Sequence, residues 1–123
     1  MSHGADIVLL AAQWPERALI RAQLIERGFE VWATDDWDSL QRRLSPRWMP
    51  RVAIVDLKDL PDAERVTREL STLLRRTRLI VVTTSATMHP VEIERSAFRV
   101  LNRPIEVGQI VDAAAAAMTT PRA

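Results

Sequence analysis

The stretch Val52-Ala-Ile-Val-Asp56 decides the fold, because four apolar residues of strand length end there on a single carboxylate. A short apolar run without polar alternation is typical of a strand that is buried on both faces of a parallel sheet. Runs of the same kind lie on either side of it in the chain, at residues 6–11 and 79–82. The sequence therefore predicts a central parallel sheet with Asp56 at the carboxyl end of one strand.

Helical segments separate these strands. In the first of them Leu19, Ile20, Leu24 and Ile25 recur near helical spacing, and Gly28 ends the segment. Thr34 or Asp35 is suited to cap the second helix. The predicted helices cover residues 16–27, 36–44, 61–75, 90–97 and 107–118, and two further short strands cover residues 29–33 and 99–101.

This order is β-α repeated five times. Alternating strands and helices with apolar strands indicate an α/β fold whose parallel sheet is covered by helices on both faces. We therefore predict a flavodoxin-like, doubly wound, five-stranded sheet of order 2-1-3-4-5. Its functional site is expected beyond the carboxyl ends of the strands, at the switch point between strands 1 and 3.

The bulk composition is that of one globular domain. The 123 residues are 47% hydrophobic, and 17 basic residues face 16 acidic ones. This predicts a single domain over residues 1–123, with its core at about 6–118 and residues 119–123 as a tail or the start of a linker. The charge balance argues against direct nucleic-acid binding, and the absence of cysteine excludes disulfides and thiol chemistry. With no signal peptide or membrane-length apolar run, we expect a cytoplasmic protein.

Polar residues follow the strand ends in a recognisable set. Asp56 ends strand 3, Thr83 follows strand 4, and Arg103-Pro104 follows strand 5. Together with Gly28-Phe-Glu-Val31 and Leu101-Asn-Arg-Pro104, this set resembles the receiver domain of response regulators in bacterial two-component signalling, the CheY-like family. The resemblance covers residues 6–118 in element order and length.

The resemblance implies a phosphoryl-accepting pocket. Family members hold Mg²⁺ with an acidic pair after strand 1 and with the aspartate that accepts the phosphoryl group. In this sequence the acidic pair falls on Ala11 and Ala12, and the interval from Asp56 to Pro61 is one residue longer than usual. The phosphoacceptor, hydroxyl-switch, lysine and aromatic-switch positions of the family fall on Asp56, Thr83, Arg103 and Val100.

Substitute groups for the lost acidic pair are available in the sequence. Asp59 in the lengthened loop, or Asp35 and Asp36 beyond strand 2, are candidate replacement carboxylates. Arg103 can pair directly with Asp56 and hold the pocket in one state, or it can reflect an arginine bias, since Lys58 is the only lysine.

The tryptophans and arginine stretches have ordinary structural interpretations. We expect Trp14 to be partly buried against the first helix beside the pocket, and Trp32, Trp37 and Trp48 to pack at the sheet edge. The arginines of residues 42–51 and 75–78 are interpreted as a solvated surface.

Three functional hypotheses follow. The leading one is a degenerate or pseudo-receiver that acts by binding a protein partner (a histidine kinase, an output domain or another signalling protein), with a homodimer through the 90–118 face as one arrangement. It needs no cofactor, and no metal or catalytic residue is expected. The alternatives are an active receiver that catalyses its own Mg²⁺-dependent phosphorylation at Asp56, and a flavodoxin-like domain that binds a small ligand.

Overall fold

The computed structural model describes residues 5–84 and 97–120, and it contains the predicted parallel sheet. The five strands lie in the order β2-β1-β3-β4-β5, and every neighbouring pair is parallel. The strands are β1 (Ile7–Leu10), β2 (Val31–Thr34), β3 (Val52–Asp56), β4 (Arg78–Thr83) and β5 (Arg99–Asn102). The helices of the described part are α1 (Trp14–Glu26), α2 (Trp37–Arg43), α3 (Ala63–Leu73) and α4 (Val107–Thr119).

Alternate residues of the central strands supply two separate cores, one on each face of the sheet. In β1, Ile7 and Leu9 face α1 and α4, whereas Val8 and Leu10 face α2 and α3. All four side chains are fully buried. Such double burial explains why these strands are apolar at every position rather than at every second one. The flavodoxin-like fold and its strand order, both predicted from the sequence, are therefore confirmed.

The helix ends differ from the prediction by a few residues. The second helix is capped by Asp36, whose carboxylate accepts a hydrogen bond from the Ser39 amide, and the prediction of Thr34 or Asp35 as the cap was wrong. Thr34 supports this cap one step earlier, because its hydroxyl oxygen accepts from the Asp36 amide. The third helix begins only at Ala63, since Asp62 before it adopts a left-handed conformation with φ of 56°.

The first helix ends as the sequence predicts. Gly28 has φ of 93°, a left-handed conformation that glycine adopts without a side-chain clash, and its amide donates to the Ile25 carbonyl. This termination turns the chain towards β2, where Asp6 accepts a hydrogen bond from the Glu30 amide.

The apolar residues of the first helix are buried only in part. Only Ile20 and Leu24 of its apolar set are buried, whereas Leu19 and Ile25 are exposed. Trp14 at the start of this helix is 67% exposed, so it does not pack against the helix as expected. The reason is geometrical: α1 rests on the sheet and α4 through one narrow stripe, and the remaining apolar side chains point away from both.

Two further findings concern the chain as a whole. In the described part of the chain no helix is both long enough and apolar enough to cross a bilayer. Residues 90–96, which hold all but the last residue of the helix predicted over 90–97 and the beginning of the 90–118 face, lie outside the described residues.

Candidate functional site

The carboxyl edge of the sheet brings the predicted site residues together. Asp56 is the last residue of β3, and Ala11 and Ala12 follow β1, the strand next to it. Thr83 ends β4, and Arg103 follows β5. Parallel strands end at one edge, so five positions that are far apart in sequence surround one pocket.

Asp56 is almost fully buried, and both of its carboxylate oxygens have hydrogen-bond donors. Its side chain is 2% exposed. Oδ1 accepts from the Lys58 amide at 3.0 Å, and Oδ2 accepts from Arg103 Nη2, with which it also forms an ion pair. The direct pairing of Arg103 with Asp56, one of the two interpretations offered by the sequence, is therefore present.

A second carboxylate, Glu16, enters the pocket and was not predicted from the sequence. It lies in the first turn of α1, directly after Pro15, and its side chain is 25% exposed. Arg103 Nη2 donates to Glu16 Oε1, and Arg103 Nη1 approaches Glu16 Oε2 at 3.3 Å. One guanidinium, itself 13% exposed, thus joins two carboxylates that come from different elements.

The sequence does contain a signal for Glu16. An acidic residue in the first turn of a helix is ordinarily explained by the helix dipole. This helix, however, starts at the carboxyl edge of the sheet two residues after Ala12, so a side chain of glutamate length at position 16 reaches the pocket.

The pKa values of the two carboxylates are shifted in opposite directions. Burial raises the pKa of Asp56 above its ordinary value, although the hydrogen bond from Arg103 opposes this. The hydrogen bond from Arg103 lowers the pKa of Glu16, which is more accessible to water. Both carboxylates raise the pKa of Arg103, Glu16 most strongly, so its guanidinium remains charged. The same guanidinium thus opposes the effect of burial on Asp56 and dominates the shift of Glu16.

A second arginine lies where the acidic pair of a receiver would be. Arg17 Nη1 donates to the Ala11 carbonyl at 2.7 Å and to the Ala12 carbonyl at 3.4 Å. Neither alanine carries an oxygen on its side chain, so the backbone oxygens are the only acceptors at these positions. A cation of the chain itself occupies those acceptors.

Thr83 is buried, and its hydroxyl is already used. It donates to Asn102 Oδ1 at 2.8 Å, across the β4–β5 register that pairs the two residues. The hydroxyl hydrogen is therefore directed along the sheet edge. Val100, at the position of the aromatic switch, is partly buried in β5 opposite Val81 and carries no ring.

The candidate substitute carboxylates lie elsewhere. Asp59, which has φ of 56° in the lengthened loop, accepts a hydrogen bond from Gln13 Nε2 at 2.8 Å at the exposed rim of the pocket. Asp36 caps α2, and Asp35 is exposed after β2. The Asp36 carboxylate accepts hydrogen bonds from the amide and the hydroxyl of Ser39, so it is engaged at the start of α2.

These donors do not fit the Mg²⁺ ion that the receiver resemblance implies. Mg²⁺ requires several free oxygen ligands, usually including one or two carboxylates. Here Arg103 engages Asp56 and Glu16, and Arg17 takes the Ala11 and Ala12 carbonyls. Across residues 5–84 and 97–120, no three histidine, cysteine, aspartate or glutamate side chains converge on a metal position.

Comparison with known proteins supports the fold. The signal receiver domain of a Luxo repressor protein from Vibrio parahaemolyticus matches with a TM-score of 0.73 and 18% identity, over 94% of this chain and 90% of that one. FixJ-N matches with a TM-score of 0.71 and 23% identity, over 95% of each chain. A response regulator protein from Burkholderia pseudomallei, solved with a phosphorylated aspartic acid, calcium ion and citrate, matches with a TM-score of 0.67 and 18% identity, over 91% of this chain and 68% of that one.

No protein-family model matches the sequence, and no curated protein matches it. The structural neighbours nevertheless agree with one another and with the strand order. The chain has the receiver-domain fold of two-component response regulators, which is a flavodoxin-like fold.

Proposed function

We propose that this domain is a pseudo-receiver, which takes part in two-component signalling by binding a protein partner without ordinary Mg²⁺-dependent phosphorylation. The observation that carries the proposal is the Arg103 guanidinium, which pairs with Asp56 and Glu16 together. It supplies the pocket with a permanent positive charge attached to the chain.

The occupied oxygens of Asp56 argue against ordinary phosphoryl acceptance. A carboxylate that attacks a phosphoryl donor needs an oxygen free to approach phosphorus, and the two anions need fixed cations placed around the incoming group. Here Oδ2 faces Arg103 and Oδ1 accepts from the Lys58 amide. Attack would first require Arg103 to leave a carboxylate that is 2% exposed.

Arg103 differs from a lysine in shape as well as in charge distribution. A lysine ammonium is a point charge that can move towards a phosphoryl oxygen, whereas a guanidinium is a planar fork that holds two carboxylates at once. The second carboxylate, Glu16, therefore anchors Arg103 as well, through both Nη1 and Nη2. This double anchoring supports a single, fixed pocket conformation.

In this proposal the partner is a histidine kinase, an output domain or another signalling protein. Two-state control by phosphate requires a ligand with different affinities for two conformations. Val100 at the aromatic-switch position carries no ring, and the Thr83 hydroxyl donates to Asn102, so in this proposal the partner binds the domain with its pocket in the one fixed conformation. A homodimer through the 90–118 face is one form of this proposal.

The test is a titration of the whole domain with Mg²⁺ and beryllofluoride, a mimic of the phosphoryl group. Amide NMR spectra report the residues of the pocket directly, and the four tryptophans give an independent fluorescence signal. We expect no saturable shift at Asp56, Leu57 or Arg103 up to millimolar Mg²⁺.

The matched control is Asp56→Asn, which keeps the side-chain shape and removes the acceptor charge. Saturable changes in the wild-type domain that disappear in Asp56→Asn would overturn the proposal and support the active receiver. Tight retention of a small molecule through purification would instead support the ligand-binding hypothesis.

A further inference from the structure

The amino edge of the sheet, opposite the Asp56 pocket, carries an open groove. It has a volume of about 350 Å³ and lies between the end of α2, the loop before β3 and the end of α3. We call it the basal groove. Its lining residues are Leu44, Ser45, Pro46, Met49, Arg75 and Arg76.

The chain segments that form the basal groove are uniformly basic. Residues 40–55 and 70–84 contain no aspartate or glutamate, although the whole chain has 16 acidic residues. The arginines of these two segments are Arg42, Arg43, Arg47, Arg51, Arg75, Arg76 and Arg78. An apolar groove with a rim of one charge sign attracts an amphipathic ligand of the opposite sign.

The turn that carries Ser45 and Pro46 of the groove is supported by neighbouring contacts. Ser45 and Trp48 exchange backbone hydrogen bonds at 3.1 and 3.0 Å, which closes the loop before β3 into a tight turn. The Arg43 guanidinium lies 5.4 Å from the centre of the Trp32 ring and 5.3 Å from that of Trp48. Cation–π contacts of this kind hold both rings and the turn in place before any ligand arrives.

Two arginines of the set stabilise the fold at the same edge. Arg51 Nη2 donates to the Met118 carbonyl at 2.8 Å, and Arg78 Nη1 donates to the Ala117 carbonyl at 2.6 Å. They satisfy carbonyls at the end of α4, where helices lack internal donors. Arg75, by contrast, is exposed on the groove itself.

We propose that the basal groove docks an acidic peptide segment of the protein partner, with an apolar side chain of that segment inserted between Leu44, Pro46 and Met49. The charge of residues 40–55 and 70–84 selects an acidic occupant, and the hydrogen-bonded turn at residues 45–48, supported by the Arg43 contacts with Trp32 and Trp48, holds Ser45 and Pro46 in place at the groove. This inference rests on the proposed function in one respect, namely that the domain acts by binding a protein.

The test uses the whole domain and a peptide probe, acetyl-Glu-Asp-Leu-Glu-Asp-Phe-Glu-amide. A control peptide replaces its leucine and phenylalanine by serine and keeps the charge. We expect the first peptide to cause saturable NMR shifts at the amides of residues 44–49 and 75–76 and at the Trp48 indole. The control peptide should bind at least about threefold more weakly, because it buries no apolar side chain.

Matched variants separate the groove from general attraction. Arg75→Glu reverses a charge on the groove, whereas Arg21→Glu makes the same net change on the exposed side of α1. We expect Arg75→Glu to weaken peptide binding about tenfold and Arg21→Glu to change it less than about twofold. Met49→Ser tests the apolar contact without changing any charge, and it should weaken binding to the first peptide only.

Several outcomes would overturn the inference. These are no saturable shift at millimolar peptide, equal losses in Arg75→Glu and Arg21→Glu, shifts at the groove that depend on domain concentration alone, or tighter binding of a single-stranded oligonucleotide at the same amides. The third of these would assign the groove to a second copy of the chain, and the fourth to nucleic acid. None of them depends on beryllofluoride, so a failure of the groove and a failure of the pseudo-receiver proposal are distinguishable.

Discussion

Replacing Arg103 by methionine should destabilise the domain markedly, because it leaves the Asp56 carboxylate buried without its cation. Methionine keeps an unbranched apolar stem and lacks the guanidinium. Glu16 can turn towards water, since its side chain is 25% exposed, but Asp56 at 2% exposure cannot. The loss therefore falls mainly on Asp56.

The size of the effect follows from this burial. Removing one partner of a buried ion pair costs about 3 kcal/mol, because an uncompensated charge remains in the interior. The amide of Lys58 still donates to Asp56 Oδ1 and keeps the cost at the lower end of that range. For a domain of this size, a loss of about 3 kcal/mol lowers the melting temperature by about 10 °C.

The assay is urea unfolding at neutral pH, followed by tryptophan fluorescence, on four proteins: wild type, Arg103→Met, Asp56→Asn and the double variant. Asp56→Asn removes the buried charge, so it should cost much less than Arg103→Met. The double variant should be more stable than Arg103→Met alone, and the coupling between the two positions should be about 2 kcal/mol.

Two results would refute this reasoning. If Arg103→Met unfolds within about 0.5 kcal/mol of wild type, Asp56 does not depend on the guanidinium. If the effects of the two single changes on the free energy of unfolding are additive, Arg103 and Asp56 do not interact in the folded protein, and Arg103 does not hold the pocket in one conformation.

Three other changes have definite expected outcomes. The pKa of Asp56 is raised in the folded state, so its contribution to stability is complete at pH values below the ordinary pKa of 3.8 and is lost as the pH rises through the folded pKa. Over this pH range, the urea midpoint of Asp56→Asn should fall less than that of wild type. Gly28→Ala should cost about 1 kcal/mol in urea unfolding, since φ is 93° there. The triple variant Ala11→Asp, Ala12→Asp and Arg103→Lys should gain saturable Mg²⁺ binding in the millimolar range by NMR, whereas wild type should not.

Each of these has a control and a contrary result. For Gly28 the control is Gly108→Ala, which lies inside α4 without a crowded neighbour and should raise stability by up to about 1 kcal/mol. An unchanged Gly28→Ala would show that this turn tolerates a side chain. Parallel pH curves for wild type and Asp56→Asn would contradict the raised pKa. If the triple variant does not bind Mg²⁺ either, Arg17 is the main reason why the pocket binds metal poorly.

The fold could be predicted from the sequence because it depends on local patterns, namely short apolar strands that alternate with helices. The strand β3 (Val52–Asp56) has the predicted bounds, and the strand order follows from chain alternation and crossover handedness. The sequence also predicted that Asp56 ends a strand and that Arg103 follows the last strand. Both therefore lie at one edge of the sheet, because parallel strands end there.

Side chains that reach the pocket from helices were missed. Glu16 and Arg17 lie in the first turn of α1, where their spacing resembles that of any amphipathic helix. Which long side chain turns inward depends on the empty space left by Ala11 and Ala12, a three-dimensional property. The exposure of Trp14 was mispredicted for the related reason that hydrophobic character does not specify which face a neighbouring helix covers.

The positive charge of Arg103 is covalently part of the chain, and this affects how long a signal can last. A bound metal ion exchanges with solvent, and an acyl phosphate hydrolyses. In a receiver that uses both, these lifetimes set how long the active state lasts. A guanidinium held by Asp56 and Glu16 has no such lifetime, and chelators cannot remove it. In the proposed state the duration of a signal would equal the residence time of the partner, which the dissociation rate of the complex sets.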